Sequence, residues 1–489
     1  MFRSVTEPLR RLESWRSVQL ANVTEYPASR GESAALVTPT VRRLGLAASF
    51  QWIFLMRDIL VVLMLFFPLC YGLAHPWVGV SVWTLVSLMN PHRFAWGFAY
   101  NLSFAAAAAF VTFVGLVFSK DPKRPPTSGP AITMMLLSLW FCITTMAAFF
   151  PESSSFKLSE VLKVNLMTVI AMCVIVTEKH IKVMMWIMTL SIGAIAAKGG
   201  LFTLLTGGSY RVWGPPSSVI EDNNAFAVAA VMVVPMLAFL VTQVENKWMK
   251  WGLILSIPLS VLASLGSQSR GALVAICAML LFFVLKSRRK FLIFFLLLAA
   301  LPFVLSFLPQ EWYSRMSTIS TYSADSSALG RLNAWHMAWN LAQDRLTGGG
   351  FAIQNAFVYG IYRPGANQFL TAHSIYFQMM GEHGFIGLIL FLALWVQTWM
   401  MASWIARNAR KTPGLEWMEN LARMLQVSQI GYLVGGAFLS LAYWDMPYYQ
   451  MVLIVAMRRL LKERATSASR DEKVVARQRR METFAGVPS

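Results

Sequence analysis

Thr371-Ala372-His373-Ser374-Ile375-Tyr376 closes a polar stretch that begins at Pro309, and an apolar run follows directly. Most of the sequence on either side of this stretch reads as membrane helix. A chain embedded in lipid gains no solubility from one large hydrophilic segment on a single face. Binding and catalytic residues concentrate on loops held by a rigid scaffold. The pattern therefore predicts that residues 309–372 cover a site at the membrane surface.

The composition indicates a membrane protein. Hydrophobic residues make up 56% of the 489 positions, charged residues 13%, and the mean hydropathy is +0.54. This balance excludes an ordinary soluble protein. The net charge of +19 does not indicate nucleic-acid binding. The Lys and Arg residues lie mostly in short loops between apolar runs, as the positive-inside rule predicts.

The apolar runs predict an all-α polytopic protein with about 12 transmembrane helices. They lie near 58–74, 76–90, 98–118, 131–150, 160–177, 183–206, 224–244, 251–265, 271–285, 291–308, 384–405, 425–444 and 447–458. Two full spans at 58–74 and 76–90 would place the basic N-terminal arm outside the cell. We therefore expect one of them to be a half-span or a re-entrant hairpin, with a non-cytoplasmic arm as the alternative.

Basic clusters set the orientation. Those at 120–124, 178–182, 247–250, 286–290, 407–411 and from 458 onward predict cytoplasmic loops. The far face then holds 151–159, 207–223, 266–270, 309–372 and 445–446. This division predicts five regions: a basic cytoplasmic extension at 1–55, membrane helices at 56–308, a large periplasmic loop with short helices at 309–372, membrane helices at 373–460, and a basic cytoplasmic tail at 461–489.

Two arginines on the far face are candidates for binding phosphate. Arg211 is the one cation in the loop 207–223, and Arg270 begins a helix after Ser267-Gln268-Ser269. A guanidinium beside a helix N-terminus suits a phosphate group. The alternatives are a headgroup-bound or ion-paired Arg211, with Glu221 or Asp222 as partner, and a structural capping role for Arg270.

Histidine supplies the candidate for proton chemistry. His373 lies where the chain re-enters the membrane, and an imidazole can accept a proton near neutral pH. His383 is the competitor, although Glu382-His383-Gly384 reads as the start of a helix. Lys198, near the far end of its apolar run, either extends to the headgroups or helps to neutralise phosphate.

Several signatures are missing from the sequence. The far face has no Asp-x-Asp pair, and the chain has no Walker-type glycine loop, nucleophile elbow or Cys/His metal set. We therefore expect no cofactor and no metal, with arginines in place of a cation.

The order of these motifs resembles the O-antigen ligase/polymerase superfamily. It runs from Arg211 through Asn223-Asn224 and 267–271 to Gly330-Arg331 and Gly348-Gly349-Gly350, then to Ala372-His373-Ser374 and 381–384. The early stretches 56–58, 87–93 and 96–100 look more like the O-glycosylation ligases of exosortase A systems. Ser374 stands where many ligases have Asn.

The resemblance implies a GT-C-type glycosyltransferase in the bacterial inner membrane, with its active site facing the periplasm. Such an enzyme transfers a glycan from undecaprenyl pyrophosphate to an acceptor hydroxyl, with inversion and without metal. Arg211 and Arg270 would bind the pyrophosphate and His373 would act as the base. Further substrate contacts are expected at the following positions: Lys198, Asn224, Arg331 and Tyr376.

The acceptor is left open by the sequence. Lipid A-core oligosaccharide is favoured, while a protein hydroxyl or a growing lipid-linked glycan, as in O-antigen polymerases, would use the same chemistry. A lipid-linked glycan transporter should show inverted repeats and charges at the bilayer midplane. The charges here lie at the outer boundary instead. The expected partners are the lipid-linked donor, the acceptor and membrane lipids.

Overall fold

The computed structural model describes residues 39–95, 97–286 and 326–484, together with the single positions 295, 299, 302 and 313. The side chains described lie within 55–95, 97–285 and 329–467, with the same single positions. The chain forms two units, which divide between Ile53 and Phe54, and the contacts described lie within the unit that begins at Phe54. Most of the predicted N-terminal extension, the predicted span 291–308 and the first part of the long loop lie outside the described residues.

The described part is helical throughout, without strands, which confirms the all-α prediction. The first nine helices are α1 (Pro39–Gly72), α2 (Pro76–Met89), α3 (Phe104–Phe118), α4 (Gly129–Met146), α5 (Pro151–Val174), α6 (Glu178–Leu205), α7 (Asn223–Val241), α8 (Lys247–Gly266) and α9 (Arg270–Lys286). The later ones are α10 (Ser326–Asp344), α11 (Ala356–Tyr362), α12 (Ile375–Ala409), α13 (Glu416–Gly435) and α14 (Asp445–Phe484). Short 3-10 turns cover Pro91–Phe94, Phe98–Asn101 and Gly436–Phe438.

Among the described residues, six helical segments are long and apolar enough to cross a membrane: Leu55–Gly72, Gly129–Met146, Glu178–Leu205, Asn223–Val241, Lys247–Gly266 and Ile375–Ala409. Three shorter apolar helices are Pro76–Met89, Phe104–Phe118 and Arg270–Leu285. These helices indicate an integral membrane protein. The predicted total of about 12 spans and the GT-C architecture stay predictions.

Helix α7 lies at the centre of the bundle. Its side chains are buried almost without exception, and it packs against α6, α8, α9 and α13. Alanine at 225, 227, 229 and 230 lets neighbouring backbones approach closely, as is typical where helices associate in lipid. Because α7 begins at Asn223, its packing fixes the position of the loop that carries Arg211.

Contacts between the loops define two ends of the bundle. At one end of the bundle, His75 Nδ1 lies 2.8 Å from Asp121 Oδ2, and the Arg124 amide donates to the Cys173 carbonyl at 2.9 Å. At the other end, Asn90 Nδ2 donates to the Ser217 carbonyl at 3.2 Å. We call these the basic end (72–76, 119–125, 172–182) and the loop end (87–104, 147–154, 207–223, 266–270, 330–374).

The first two apolar runs differ from the expectation of a half-span or hairpin. The Arg57 guanidinium donates to the Phe94 carbonyl at the loop end, whereas α1 ends beside His75 at the basic end. Helix α2 then returns from His75 to Asn90 at the loop end. Both helices therefore join the two ends of the bundle, whereas a hairpin would return to the end at which it began.

Two further segments are more helical than expected. Residues 151–159, interpreted as a far-face loop, form the first turns of α5. Glu382-His383-Gly384 is not the start of a helix, because α12 begins at Ile375 and kinks at Gly384, where φ is 68° and ψ is −173°. In the long loop, the described residues form α10 and α11, which confirms short helices there.

Candidate functional site

The loop between α6 and α7 holds Arg211 against the turn between α8 and α9. Arg211 Nε donates to Gln268 Oε1 at 3.3 Å, and the Val212 amide donates to the Gly266 carbonyl at 3.3 Å. Gln268 is buried and has a φ of 57°, a left-handed conformation that is uncommon for a non-glycine residue. Arg270 follows two residues later, so the two predicted pyrophosphate ligands flank one turn.

A buried asparagine fixes this turn. Asn223 Nδ2 donates to the Ser267 carbonyl at 2.7 Å, and Asn223 is 3% exposed. Ser269 Oγ accepts from the Ala272 amide at 3.3 Å and so caps α9. Arg270 is half-buried at the first residue of that helix. The sequence therefore places a guanidinium at a capped helix N-terminus, where the helix dipole favours an anion.

The acids near Arg211 have other partners. Glu221 accepts from the Ser217 amide at 2.8 Å. Asp222 caps α7, accepting from the amides of Asn224 and Ala225 at 2.9 and 3.3 Å. Arg211 itself is exposed and bonded to the neutral Gln268. This arrangement keeps the positive charge of Arg211 available for a ligand.

His373 lies directly before α12, is half-buried and has a φ of 41°. Burial lowers the pKa of His373 below its ordinary value of 6.5, the charge of Arg331 lowers it further, and Asp222 opposes the shift. Trp335 Nε1 donates to the Ala372 carbonyl at 2.7 Å, which ties the residue before His373 to α10, the helix that carries Arg331. The lowered pKa of His373 favours the neutral imidazole that a base requires.

The competing histidine, His383, is enclosed within the bundle. It is fully buried, with Nδ1 2.7 Å from Thr144 Oγ1 and Nε2 2.8 Å from the Tyr443 hydroxyl. The Tyr443 hydroxyl also donates to the Glu382 carboxylate. Both ring nitrogens of His383 are thus engaged inside the protein, so His373 is the better candidate for substrate chemistry.

The remaining predicted contacts fall into two groups. Asn224 donates to Asp222 Oδ1 at 3.1 Å and Arg331 lies beside His373, so both are at the site. The Tyr376 hydroxyl donates to the Leu433 carbonyl at 2.8 Å, which occupies its donor hydrogen. Lys198 is exposed on α6 and lines a cavity with Arg211.

Three helix N-termini meet at this site. The Asn223 bond to Ser267 joins the starts of α7 and α9. The short turn Gly436–Phe438 joins α9 to α12, because Gly271 lies against Phe438 and Gly436 lies against Ile375. Each helix dipole contributes partial positive charge there. Together with the guanidinium groups, these dipoles produce an anion-binding surface beside a neutral imidazole.

A cavity of about 660 Å³ opens next to Arg211. We call it the Arg211 cavity. Arg57, Lys198 and Arg211 supply its positive charge, whereas Val61, Met64 and Ile195 make it apolar. Met64 is seven residues beyond Arg57 on α1, which corresponds to a depth of about 10 Å along the helix. The cavity therefore has a cationic part at the loop end and an apolar part toward the middle of the bundle.

Some residues of the site were missed in the sequence. Asp222 was considered only as an ion-pair partner of Arg211, Gln268 was visible only as a member of a polar turn, and Arg57 only as part of the stretch 56–58 that carries the resemblance. The signal for Asp222 was its position directly before an apolar helix, which is typical of an N-cap. Within the described residues, no group of three His, Cys, Asp or Glu side chains is arranged to hold a metal ion. Metal independence stays a prediction.

The fold and the site define a helical integral membrane protein with a cationic, histidine-bearing site at one end. Two segments match protein-family models: residues 253–392 match the family described as O-antigen ligase, and residues 56–245 match a family of unknown function (DUF5935). The match at 253–392 supports the O-antigen ligase/polymerase superfamily, which the motifs predicted. Arg270 and His373 lie in the first segment, and Arg211 and Lys198 lie in the second. A comparison with curated proteins finds no match. The link to exosortase systems stays a prediction.

Proposed function

We propose that this protein is an O-antigen ligase of the bacterial inner membrane. It transfers a glycan from undecaprenyl pyrophosphate to a hydroxyl of lipid A-core oligosaccharide on the periplasmic side, without metal. The observation that carries the proposal is the meeting of the starts of α7, α9 and α12 at the turn where Arg211 bonds to Gln268, with His373 directly before α12. The family match at 253–392 supports a ligase or polymerase reaction of this kind.

The donor pyrophosphate binds between Arg211 and Arg270. Guanidinium groups donate paired hydrogen bonds to phosphate oxygens, and the N-terminus of α9 adds favourable dipole potential. The polyprenyl chain extends into the Arg211 cavity, whose apolar lining continues toward the middle of the bundle. Lys198 and Arg57 lie where they neutralise the remaining phosphate charge. One amphiphile thereby uses both parts of the cavity.

The transfer step has a simple balance of bonds and charge. The acceptor oxygen attacks the anomeric carbon, the bond from that carbon to the pyrophosphate oxygen breaks, and the configuration inverts. The hydroxyl proton passes to His373, and the electron pair of the broken bond stays on the pyrophosphate. Arg211 and Arg270 stabilise that developing charge, which is the task of preorganised donors in such sites.

A reconstituted assay tests the proposal. Purified protein is combined with undecaprenyl-pyrophosphate-linked glycan and lipid A-core in the presence of EDTA, and wild type is compared with His373→Ala and Arg270→Ala. We expect transfer to the core that survives EDTA and collapses in both variants. His336→Ala, an exposed histidine on α10, and Arg423→Ala, which pairs with Glu419 at 2.9 Å on α13, are the matched controls.

Other products would identify a different function. Lengthening of the lipid-linked glycan without transfer to the core would indicate a polymerase. Transfer to an added protein substrate alone would indicate a protein O-oligosaccharyltransferase. Movement of the lipid across the bilayer, without any glycan product and equal in wild type and variants, would contradict an enzymatic role.

A further inference from the structure

A second cavity, of about 600 Å³, opens at the loop end. We call it the Lys163 cavity. The turn that follows α2 separates it from the Arg211 cavity, because Met89 and Pro91 line one cavity and Asn90 and His92 line the other. The Lys163 cavity lies between this turn, α3 and α5, within the segment that matches a family of unknown function.

The charge of the Lys163 cavity is positive. Arg93 and Lys163 line it, and no Asp or Glu occurs among its described lining residues. The Arg93 guanidinium lies 4.5 Å from the centre of the Tyr100 ring, which holds it in place without neutralising it. A pocket with two cations and no carboxylate is suited to an anionic group.

His92 adds a polar atom that requires a partner. It lines the cavity and is 7% exposed, and its Nδ1 has no hydrogen-bond partner among the residues that the structure describes. An unsatisfied buried polar atom costs about 1–3 kcal/mol. Such an atom in a native fold calls for an explanation. Nδ1 is enclosed in the wall of the cavity, so it is an unmet contact of the wall and not a group exposed to a ligand.

The rim of the cavity is held in an unusual backbone conformation. Asn90 has a φ of 55° and Ser217 a φ of 56°, and both residues line the cavity. Asn90 ends α2 in the left-handed conformation usual for an asparagine there, and its Nδ2 donates at 3.2 Å to the carbonyl of Ser217, where this conformation is uncommon. Backbone strain of this kind is concentrated at functional sites. The other two described non-glycine residues with positive φ, Gln268 and His373, belong to the candidate active site.

The lining changes character with depth. Asn101 and Ser103 are at the loop end, before α3 begins at Phe104. Phe113, nine residues farther along α3, marks a depth of about 13 Å. Alanine at 105, 106 and 109 leaves space along this wall, and Leu166 on α5 faces the same space. The cavity thus has a cationic mouth and an apolar floor, the shape of an amphiphile.

We propose that the Lys163 cavity binds a phosphorylated lipid, with its phosphate between Arg93 and Lys163 and one acyl chain along α3. The cavity volume is within the range of about 300–1,000 Å³ that is typical of small-molecule sites. This inference goes beyond the proposed transfer reaction and does not depend on it. It gives the segment 56–245 a binding role separate from the Arg211 cavity.

Native mass spectrometry of the purified protein tests the inference. Dioleoyl phosphatidic acid is titrated against dioleoyl phosphatidylcholine, which has the same chains but no net charge. The Arg93→Gln/Lys163→Gln double variant removes the positive charge of the cavity. Ala109→Phe fills the apolar part of the cavity and leaves both charges in place. The double variant should weaken the phosphatidic acid adduct by about tenfold or more, because bonds to charged groups contribute about 1.5–3 kcal/mol. Ala109→Phe should weaken the same adduct because its ring occupies the space of the acyl chain.

Two variants serve as controls. Lys157→Gln lies on the same helix outside the cavity, in an exposed pair with Glu160, and should bind as wild type does. Arg211→Gln should retain this adduct, which separates it from lipid in the Arg211 cavity. Equal binding of the two lipids, or wild-type binding by the double variant, would refute the inference. Full displacement by inorganic phosphate would also refute it, because the site would then recognise phosphate and not a lipid.

Discussion

Arg211 Nε donates to Gln268 Oε1 at 3.3 Å, and Gln268 lies two residues before Arg270. The neutral glutamine positions one arginine beside the other without cancelling the charge of either. Two like charges are held together in this way only at a cost, which a bound anion would offset. The bond therefore links the two residues that we assign to the pyrophosphate.

Replacing either arginine by alanine should lower the transfer rate by roughly 10²–10³, the usual effect of removing one donor to a developing oxyanion. Lysine at either position should restore part of the rate, because it supplies charge without the paired hydrogen bonds. Initial rates over a range of donor concentrations, at saturating acceptor, give kcat and KM for each variant. A loss confined to KM would show that the arginines bind the donor but do not assist departure of the leaving group.

Replacing His373 by alanine should lower kcat by roughly 10²–10⁴, as expected for loss of a general base. Binding of the donor should be retained, because the imidazole acts on the acceptor hydroxyl. Equilibrium binding of the lipid-linked donor, measured beside single-turnover transfer, separates the two effects. His336→Ala should match wild type in both measurements. Equal loss of donor binding and transfer would argue against a base.

The pH dependence of transfer should follow His373. Because burial and Arg331 lower the pKa of His373 and Asp222 raises it, the imidazole stays neutral below its ordinary value of 6.5. The rate should therefore persist below that pH and fall only in more acidic buffer. Arg331→Gln removes a charge that lowers the pKa and should move the acid limb to higher pH. Asp222→Asn, which can still cap α7, should move it to lower pH.

The profile of kcat/KM against pH provides this measurement, since it reports the free enzyme. The two variants are a matched pair, because each changes one charge near His373 in the opposite sense. Identical acid limbs in both variants would show that a group other than His373 titrates.

The sequence predicted the helices well because most apolar runs are close to the length that crosses a membrane, and basic clusters separate many of them. It also placed Arg211, Arg270 and His373 on one face of the membrane, from the alternation of basic and non-basic loops along the chain. This alternation predicts at which end of a helix a residue lies, but it does not predict which residues of other helices lie next to it. The bond to Gln268 and the proximity of Arg331 to His373 depend on packing between helices far apart in the chain.

The first 90 residues were the least predictable. Periodicity does not distinguish a short crossing helix from a re-entrant one, and α2, at 14 residues, is shorter than an ordinary span. The contacts of Arg57 and His75 at opposite ends of α1 provide the distinction. The helix that begins at Ile375 and ends at Gly384 was missed because the apolar run starts only at its junction with the second helix, next to His383.

Asn223→Ala should destabilise the protein by about 1–3 kcal/mol, because it leaves the buried Ser267 carbonyl without its donor. Transfer should fall as well, since the turn carrying Gln268 and Arg270 would lose its anchor. Thermal unfolding in detergent and transfer rates are the measurements. Its neighbour provides the control: Asn224→Ala, at a less buried position, should leave stability nearly unchanged. Equal unfolding temperatures for the two variants would contradict the anchoring role.

Gly384→Ala should be the most damaging of the glycine substitutions in α12. The backbone at Gly384, with φ 68° and ψ −173°, lies in a region that is essentially restricted to glycine. A Cβ atom there would lie 2.1 Å from the Leu346 carbonyl oxygen. Relief of this contact requires the kink to move, and with it the helix that begins next to His373. We expect a lower unfolding temperature and little transfer.

Gly360→Ala on α11 is the control. A Cβ atom at Gly360 meets no atom within 4 Å, and the variant should keep or slightly raise stability, because alanine favours helix. Wild-type behaviour of Gly384→Ala would mean that the kink is not needed to position His373.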